Sequence, residues 1–323
     1  MIRAPIRRRT WLVAAAAAGA MPATLFAQGS YPSRPIELIV PAGAGGGTDV
    51  VARAFAEAAR TRLTQPVVVV NRPGASGMIG HGEMINAKPD GYKLAIVFAE
   101  ICIVPHLGQS KLSYEDFVPI ARLNADPAAI TVRADAPWTT IEEFLSSSRA
   151  KPGELKMGNS GTGSIWHLAD ASLEQKVGVK YIPVPFGGAA PAVLALLGGH
   201  IDAVAVSPGE VAAHVQTGKL KTLAVMADQR QKGFENVPTL KERGIDLSIG
   251  TWRGLGAPRG TPADVLAVLS DVTRTSVQEP VFRDALDRLG MGNAYADADT
   301  FRAEMKRDNE RFKELVRSLG IKA

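Results

Sequence analysis

An apolar run, Ile36-Glu37-Leu38-Ile39-Val40, passes directly into Pro41-Ala42-Gly43-Ala44-Gly45-Gly46-Gly47-Thr48-Asp49 and then into a segment, 50–63, with helical periodicity. The run reads as a buried strand, the last segment as an amphipathic helix, and the glycine stretch as the tight turn between them. A strand that feeds a helix through so short a loop belongs to a layered α/β architecture, in which the helix packs back on the sheet. The turn has a chemical consequence as well. The first N–H groups of a helix have no intrahelical acceptor, and the helix dipole favours negative charge beside them. The loop carries neither lysine nor a nucleophile. It therefore suits the holding of an anionic small molecule better than its transformation.

The same alternation runs on. Apolar runs predict strands over 36–40, 67–70, 94–98, 129–132, 181–184, 203–207 and 220–226, most of them continuous enough to be covered on both faces. Helical stretches fall between. Thr139-Thr140-Ile141-Glu142-Glu143 offers two overlapping capping boxes ahead of Phe144 and Leu145. Pro191 suits a first helical turn and Gly198 its stop; Thr261-Pro262 starts another helix, and a long terminal helix over 300–319 is followed by Gly320. Repeated strand–helix–strand order predicts mostly parallel sheets flanked by helices. The length suits two α/β domains, and no flexible linker separates them, so the domains are expected to pack closely.

The first residues read as an export signal over 1–27. Arg7-Arg8-Arg9 is a basic start, 11–20 an alanine-rich apolar core, and Thr24-Leu25-Phe26-Ala27 ends on a small residue suited to cleavage. Gly19 and Pro22 interrupt the core, which is too short to anchor in a bilayer. Arg8-Arg9-Thr10-Trp11-Leu12 fits a twin-arginine signal as well as an ordinary secretion signal. No cysteine stands at the cut, so the mature chain is expected free in the periplasm. Cys102 is the single cysteine, so no internal disulfide can form. The sequence has 37 basic and 32 acidic residues. Four of the basic ones (Arg3, Arg7, Arg8, Arg9) precede Gln28 and no acidic one does, which leaves the mature chain near neutrality. Without a basic tract, nucleic acid is not an expected partner.

Negative tests narrow the chemistry. The glycine loop lacks the lysine of a Walker loop, and Thr48 replaces the third glycine of a dinucleotide fingerprint. A second loop, Gly158-Asn159-Ser160-Gly161-Thr162-Gly163-Ser164, precedes a helix from Ile165 and fails the Gly-x-Ser-x-Gly elbow because Thr162 occupies its last position. A hydrolase using Ser160 or Ser164 would need His167 within reach as a base; a packed or capping histidine is the plainer reading. The five histidines show no metal-ligand spacing, so neither metal nor cofactor is expected. Candidate ligand contacts are then Ala44, Gly45, Gly46, Gly47 and Thr48 on the first loop, and Ser160, Gly161, Thr162, Gly163 and Ser164 on the second. Hydrogen bonds to a charged group contribute about 1.5–3 kcal/mol each. Micromolar binding needs about 8 kcal/mol net of association costs. One loop is marginal and two facing loops suffice. Arg72 and Arg253 are either charged contributors or structural ion pairs.

Several motifs carry a resemblance. Pro35-Ile36-x-Leu38-Ile39-Val40-Pro41, Gly45-Gly46-Gly47-Thr48-Asp49, Asn71-Arg72-Pro73-Gly74-Ala75-x-Gly77 and Pro89-Asp90-Gly91-Tyr92 stand in order. Gly161-x-Gly163-Ser164-x-x-His167-Leu168-Ala169, Val237-Pro238-Thr239-Leu240, Trp252-x-Gly254 and Ala257-Pro258-x-Gly260-Thr261-Pro262 follow. Across nearly the whole mature chain they resemble the Bug-type receptors, the substrate-binding proteins of tripartite tricarboxylate transporters. The resemblance implies a two-lobed, type II-like periplasmic binding fold, with lobe 1 formed by 28–125 plus 237–323 and lobe 2 by 126–236. No apolar run after the signal is long enough to span a bilayer, so the mature chain is expected not to be membrane-embedded, and a monomer is expected. Such a receptor would bind a di- or tricarboxylate or related acid between the lobes and hand it to permease subunits of the transporter. It further implies that the two glycine loops hold a carboxylate, partly through water. Loops matching 99–104, 186–190 and 207–210 meet the rest of the ligand, which adds Glu100, Phe186, Gly187, Gly188 and Ser207. Many relatives carry a bulky or charged residue where Gly187-Gly188 stands. A receptor that presents its ligand to a membrane sensor would have the same sequence features.

Overall fold

The computed structural model describes residues 31–321; the export signal expected over 1–27 lies outside them. In chain order the elements are β1 (Ile36–Val40), α1 (Gly47–Ala59), β2 (Val67–Asn71), α2 (Met78–Ile85), β3 (Lys93–Phe98), β4 (Phe117–Pro127), β5 (Ala129–Arg133) and α3 (Ile141–Ala150). Then come β6 (Lys156–Asn159), α4 (Ile165–Val177), β7 (Ile182–Pro185), α5 (Ala189–Leu197), β8 (Ala203–Val206), α6 (Pro208–Gln216) and β9 (Leu220–Val225). The chain ends with β10 (Gly250–Pro258), α7 (Ala263–Ser276), α8 (Pro280–Asp287), β11 (Asn293–Asp297) and α9 (Ala298–Leu319).

These strands form two sheets, one per lobe. The six-stranded sheet has the order β11-β4-β10-β3-β1-β2 and the five-stranded sheet β7-β6-β8-β5-β9. Both are mixed. β1 runs parallel to β2 and β3, and β6 parallel to β7 and β8, as the alternating pattern predicts. The other half of each sheet is antiparallel, because β4 and β10, and likewise β5 and β9, are the strands on which the chain leaves one sheet for the other.

The two crossings lie side by side. Ala128 links β4 to β5, and residues 226–249 lead from β9 to β10. They are tied by three backbone bonds: Ala128 N–H to Ile249 C=O at 2.9 Å, Met226 N–H to Ala128 C=O at 2.7 Å and Ile249 N–H to Met226 C=O at 3.0 Å. Two adjacent strands of this kind make a narrow joint about which the sheets can rotate.

β10 is a central strand that its composition conceals. It contains Gly250, Gly254 and Gly256 where side chains would normally favour a strand. Each is required by close approach: a Cβ would stand 2.2 Å from Asp126 O at Gly250, 2.3 Å from the Phe301 ring at Gly254 and 2.9 Å from the Phe117 ring at Gly256. The helices start as their sequences specify. Thr140 Oγ1 accepts from Glu143 N–H at 3.2 Å, and Ser164 Oγ accepts from His167 N–H at 3.2 Å. Gly320 closes α9 at φ 64°. Phe301 and Phe312 of α9 are fully buried, as are Phe55 of α1 and Phe282 of α8. No described helix is long and apolar enough to cross a membrane.

Candidate functional site

Parallel strands open their C-terminal ends on the same edge of a sheet, and ligands of open α/β folds gather there. Here the ends of β1 and β3 in one lobe face the ends of β6, β7 and β8 in the other, around a cavity of about 350 Å³.

The first wall is the loop into α1. Its conformation is fixed from behind by Asp49, which accepts from Gly45 N–H at 3.0 Å, Arg53 Nε at 2.9 Å and Asn71 Nδ2 at 2.9 Å. Burial opposes the Asp49 charge, but these donors outweigh it and hold the carboxyl below its usual range. Gly46, Gly47 and Thr48 line the cavity. The Gly46 and Thr48 N–H groups have no acceptor within the described protein. Gly47 has no room for a side chain: a Cβ would stand 2.8 Å from Arg253 Nη2 and 3.0 Å from Glu210 Oε1.

The opposite wall is the loop into α4, where Ser160, Gly161 and Thr162 face the cavity together with Ile165 and Trp166. Asn159 Oδ1 accepts from Gly161 N–H at 3.0 Å, and His167 Nδ1 accepts from Gly163 N–H at 3.1 Å. Burial pushes the His167 imidazole below its ordinary pKa, so it stays neutral and serves as this acceptor. The Nδ1 lone pair is thereby committed to the backbone, while the Ser164 hydroxyl caps α4.

Side walls complete the cavity. Phe186, Gly187 and Gly188 contribute from the turn into α5, and Phe98 from the end of β3. A third loop, Pro73 to Gly77, also lines it. Ala75 and Ser76 there adopt left-handed backbone at φ 48° and 49°, conformations that cost energy in non-glycine residues and concentrate at ligand sites.

Among the described residues, three hydrogen bonds and one ion pair span the cleft. Glu100, in the turn after β3, accepts from Ile165 N–H of α4 at 3.2 Å. Glu210, in α6, accepts from Gly47 N–H of α1 at 3.3 Å. Ser76 Oγ donates to Thr162 C=O at 3.2 Å. Arg253 Nη2 lies 3.5 Å from Glu210 Oε1. Each lobe thus supplies a carboxylate to the helix start of the other. Burial pushes Glu100 up to about 7, against the pull of the Ile165 N–H bond and the Arg253 charge. Burial raises Glu210 too, opposed by Arg253 and the Ser207 N–H bond.

Arg253 is the anchor beneath the site. Its Nη1 donates to Asp126 Oδ2 and Asn124 Oδ1, both at 2.7 Å, and its Nε to Thr48 Oγ1 at 3.1 Å. Asn124 stands opposite Arg253 in the β4–β10 ladder, and a register shift follows at Arg253/Gly254. Such irregularities re-aim side chains beside binding sites. Arg72, by contrast, pairs with Glu83 at 3.1 Å on an exposed face away from the cavity.

Ten of the sequence-derived candidates therefore meet at one cavity: Gly46, Gly47, Thr48, Glu100, Ser160, Gly161, Thr162, Phe186, Gly187 and Gly188. Five do not reach it. Ala44 and Gly45 are exposed at the loop tip. Gly163 packs under Leu107, Ser164 is turned into its helix cap, and Ser207 is buried behind Glu210. Ser76 has a cleft position that no sequence pattern singles out; Glu210 falls within the 207–210 loop that the resemblance points to, and of the two readings open for Arg253 the structural ion pair is the one it makes.

Comparison with known proteins agrees with this geometry. The family model of the tripartite tricarboxylate transporter family receptor matches residues 51–321. A solved TctC solute-binding protein from Polaromonas is 58% identical, covers 90% of this chain and 100% of its own, and superposes with a TM-score of 0.69. The periplasmic binding protein BugD is 31% identical, covers 90% and 99%, and superposes at 0.86. The R. palustris protein Rpa4515, solved with adipate, is 26% identical, covers 90% and 99%, and also superposes at 0.86. The chain belongs to the receptor family of the tripartite tricarboxylate transporters, and its two-lobed fold matches that of the periplasmic binding protein BugD.

Proposed function

We propose that this chain is an exported receptor that clamps a small organic carboxylate between its lobes and delivers it to the membrane subunits of a tripartite transporter. One observation carries the reading: the helix starts of α1 and α4, one from each lobe, line a shared cavity and carry N–H groups with no acceptor among the described residues. The amides of Gly46, Thr48 and Trp166 hold the carboxylate, with the hydroxyls of Ser160 and Thr162 beside them. Three charged hydrogen bonds at about 1.5–3 kcal/mol each are on the scale that micromolar affinity needs. The adipate in Rpa4515 is a carboxylate of suitable size.

Closure is a rotation of the five-stranded sheet and its helices against the rest about the joint at Ala128, Met226 and Ile249. The ligand favours the closed state because only there do both loops reach it. Superposition scores support such rotation. The 58% identical Polaromonas protein superposes less well than the 26% identical Rpa4515, the order expected when lobe angle rather than lobe structure differs. Cleavage near Ala27 leaves the mature receptor in the periplasm. A thermal-shift panel of citrate, malate, aspartate and aromatic carboxylates tests the reading: at least one acid raises the melting temperature in a concentration-dependent way. No response across a broad acid panel refutes it.

A further inference from the structure

Behind the second glycine loop lies an acid that does not line the cavity. Asp170 stands in the second turn of α4 and is 3% exposed. Among the described residues no basic side chain pairs with it, and its Oδ1 has no hydrogen-bond partner. Burial pushes the carboxyl well above its usual range; the bond from Asn159 opposes this, and the Glu174 charge adds to it. Asp170 is therefore a neutral acid near pH 7. A buried polar group with an idle oxygen destabilises a fold relative to an apolar side chain of the same shape. Packing alone gives no reason for an acid here.

What Asp170 touches is Asn159. This last residue of β6 is fully buried, and its Nδ2 donates to Asp170 Oδ2 at 3.5 Å. The other end of the same carboxamide accepts from Gly161 N–H at 3.0 Å. Gly161 lies between Ser160 and Thr162 on the cavity wall, with φ 127°, a backbone that glycine adopts most readily. A carboxamide has one accepting end and one donating end. Asp170 Oδ2 is the acceptor that the donating end faces, which leaves the accepting end to hold Gly161. With an apolar residue at 170, nothing fixes which way round the amide lies. Turned over, it sets Nδ2 against Gly161 N–H, donor to donor, and the turn is released. We infer that Asp170 is a positioning residue for ligand binding: through Asn159 it holds the Gly161 turn, and with it Ser160 and Thr162, in the conformation that receives a carboxylate. This rests on the carboxylate-receptor reading given above.

Two substitutions separate this role from plain packing. Asp170→Asn keeps an acceptor toward Asn159 Nδ2, whereas Asp170→Leu keeps the forked shape and removes it. Isothermal titration uses the acid of the thermal-shift panel that responds most strongly. Asp170→Leu weakens its binding at least about fivefold, the scale of one hydrogen bond, while Asp170→Asn stays within about twofold. In an Asn159→Ala background the further change to Asp170→Leu alters affinity less than about twofold, because the link it acts through is already gone. Amide hydrogen exchange reads the same link without ligand: Gly161 exchanges at least about fivefold faster in Asp170→Leu, and at the unaltered rate in Asp170→Asn. Equal affinity in Asp170→Leu and the unaltered protein overturns the assignment. So does a loss that persists in the Asn159→Ala background, or one that Asp170→Asn shares; the last arm stands even if Asp170→Leu folds poorly. If no acid binds the unaltered protein, the carboxylate-receptor reading fails and the assignment falls with it.

Discussion

Arg253→Met removes the guanidinium while keeping most of the side-chain volume. Arg253 is 2% exposed, and its loss leaves Asp126, at 3% exposure, and the buried Glu210 without the cation they share. Asp126 Oδ1 keeps its bond from Gly292 N–H at 2.8 Å, and Glu210 keeps those from Gly47 and Ser207. The charges themselves are no longer offset. Breaking a buried ion pair from one side costs about 3–5 kcal/mol. An unfolding entropy of about 2.1 cal/mol/K per residue, taken over residues 31–321, gives roughly 0.6 kcal/mol/K. The expected fall in melting temperature at pH 7.5 is therefore about 5–8 °C by calorimetry. The sign of the pH effect follows from the same geometry. Burial already raises Glu210 against the pull of Arg253, and without the guanidinium that rise grows, so the folded variant binds more protons than the unfolded chain. Its stability is present at low pH and is lost as pH rises through the folded values. The deficit relative to the unaltered protein therefore shrinks toward pH 5. A deficit under about 1 kcal/mol at pH 7.5, or one that grows on acidification, refutes the view that Arg253 neutralises these acids.

Two further perturbations probe the cleft directly. Gly47→Ala places a methyl against Arg253 and Glu210, both held in place by buried partners, so the responding acid of the thermal-shift panel loses at least about tenfold in affinity; unchanged affinity would separate the α1 loop from binding. Glu100→Gln abolishes a titration. Because Glu100 rises to about 7 in the fold, the unaltered protein loses roughly 3 kcal/mol relative to the variant between pH 4.5 and pH 7, and parallel denaturation curves at the two pH values would contradict this.

How much of this could be read from sequence differs between the two kinds of information the site uses. The loops into α1 and α4 are local: strand, glycines and helix start are contiguous, and backbone amides act wherever the turn puts them, so both loops are legible from residue order. The strands that join the lobes are not. β10 reads as a turn-rich segment because its three glycines are dictated by neighbours distant in sequence, Asp126, Phe117 and Phe301. β4 carries Pro119, Arg122, Asn124 and Asp126, which obscure strand periodicity. Two of those residues serve Arg253, whose pairing with Asn124 is set by the antiparallel register.

The same distinction separates holding a ligand from choosing one. On the proposed reading, main-chain donors at the two helix starts hold a carboxylate whatever lies attached to it, and they need only glycine and a turn. Discrimination needs charge at a defined distance from them, and here that charge comes from side chains brought together by the crossing strands and the facing lobe. Glu100 and Glu210 reach across to opposite helix starts, so each has its cleft partner only when the lobes are together. An anion on the first loop alone lies in the same lobe as Glu100 and lacks only the donors of the facing lobe. On the proposed reading, closure adds the α4 amides in the same motion that joins Glu100 to Ile165 N–H and Glu210 to Gly47 N–H. On the same reading the closed state is the one that selects: an acid that cannot be housed between the facing loops is rejected by failure to close rather than by failure to dock.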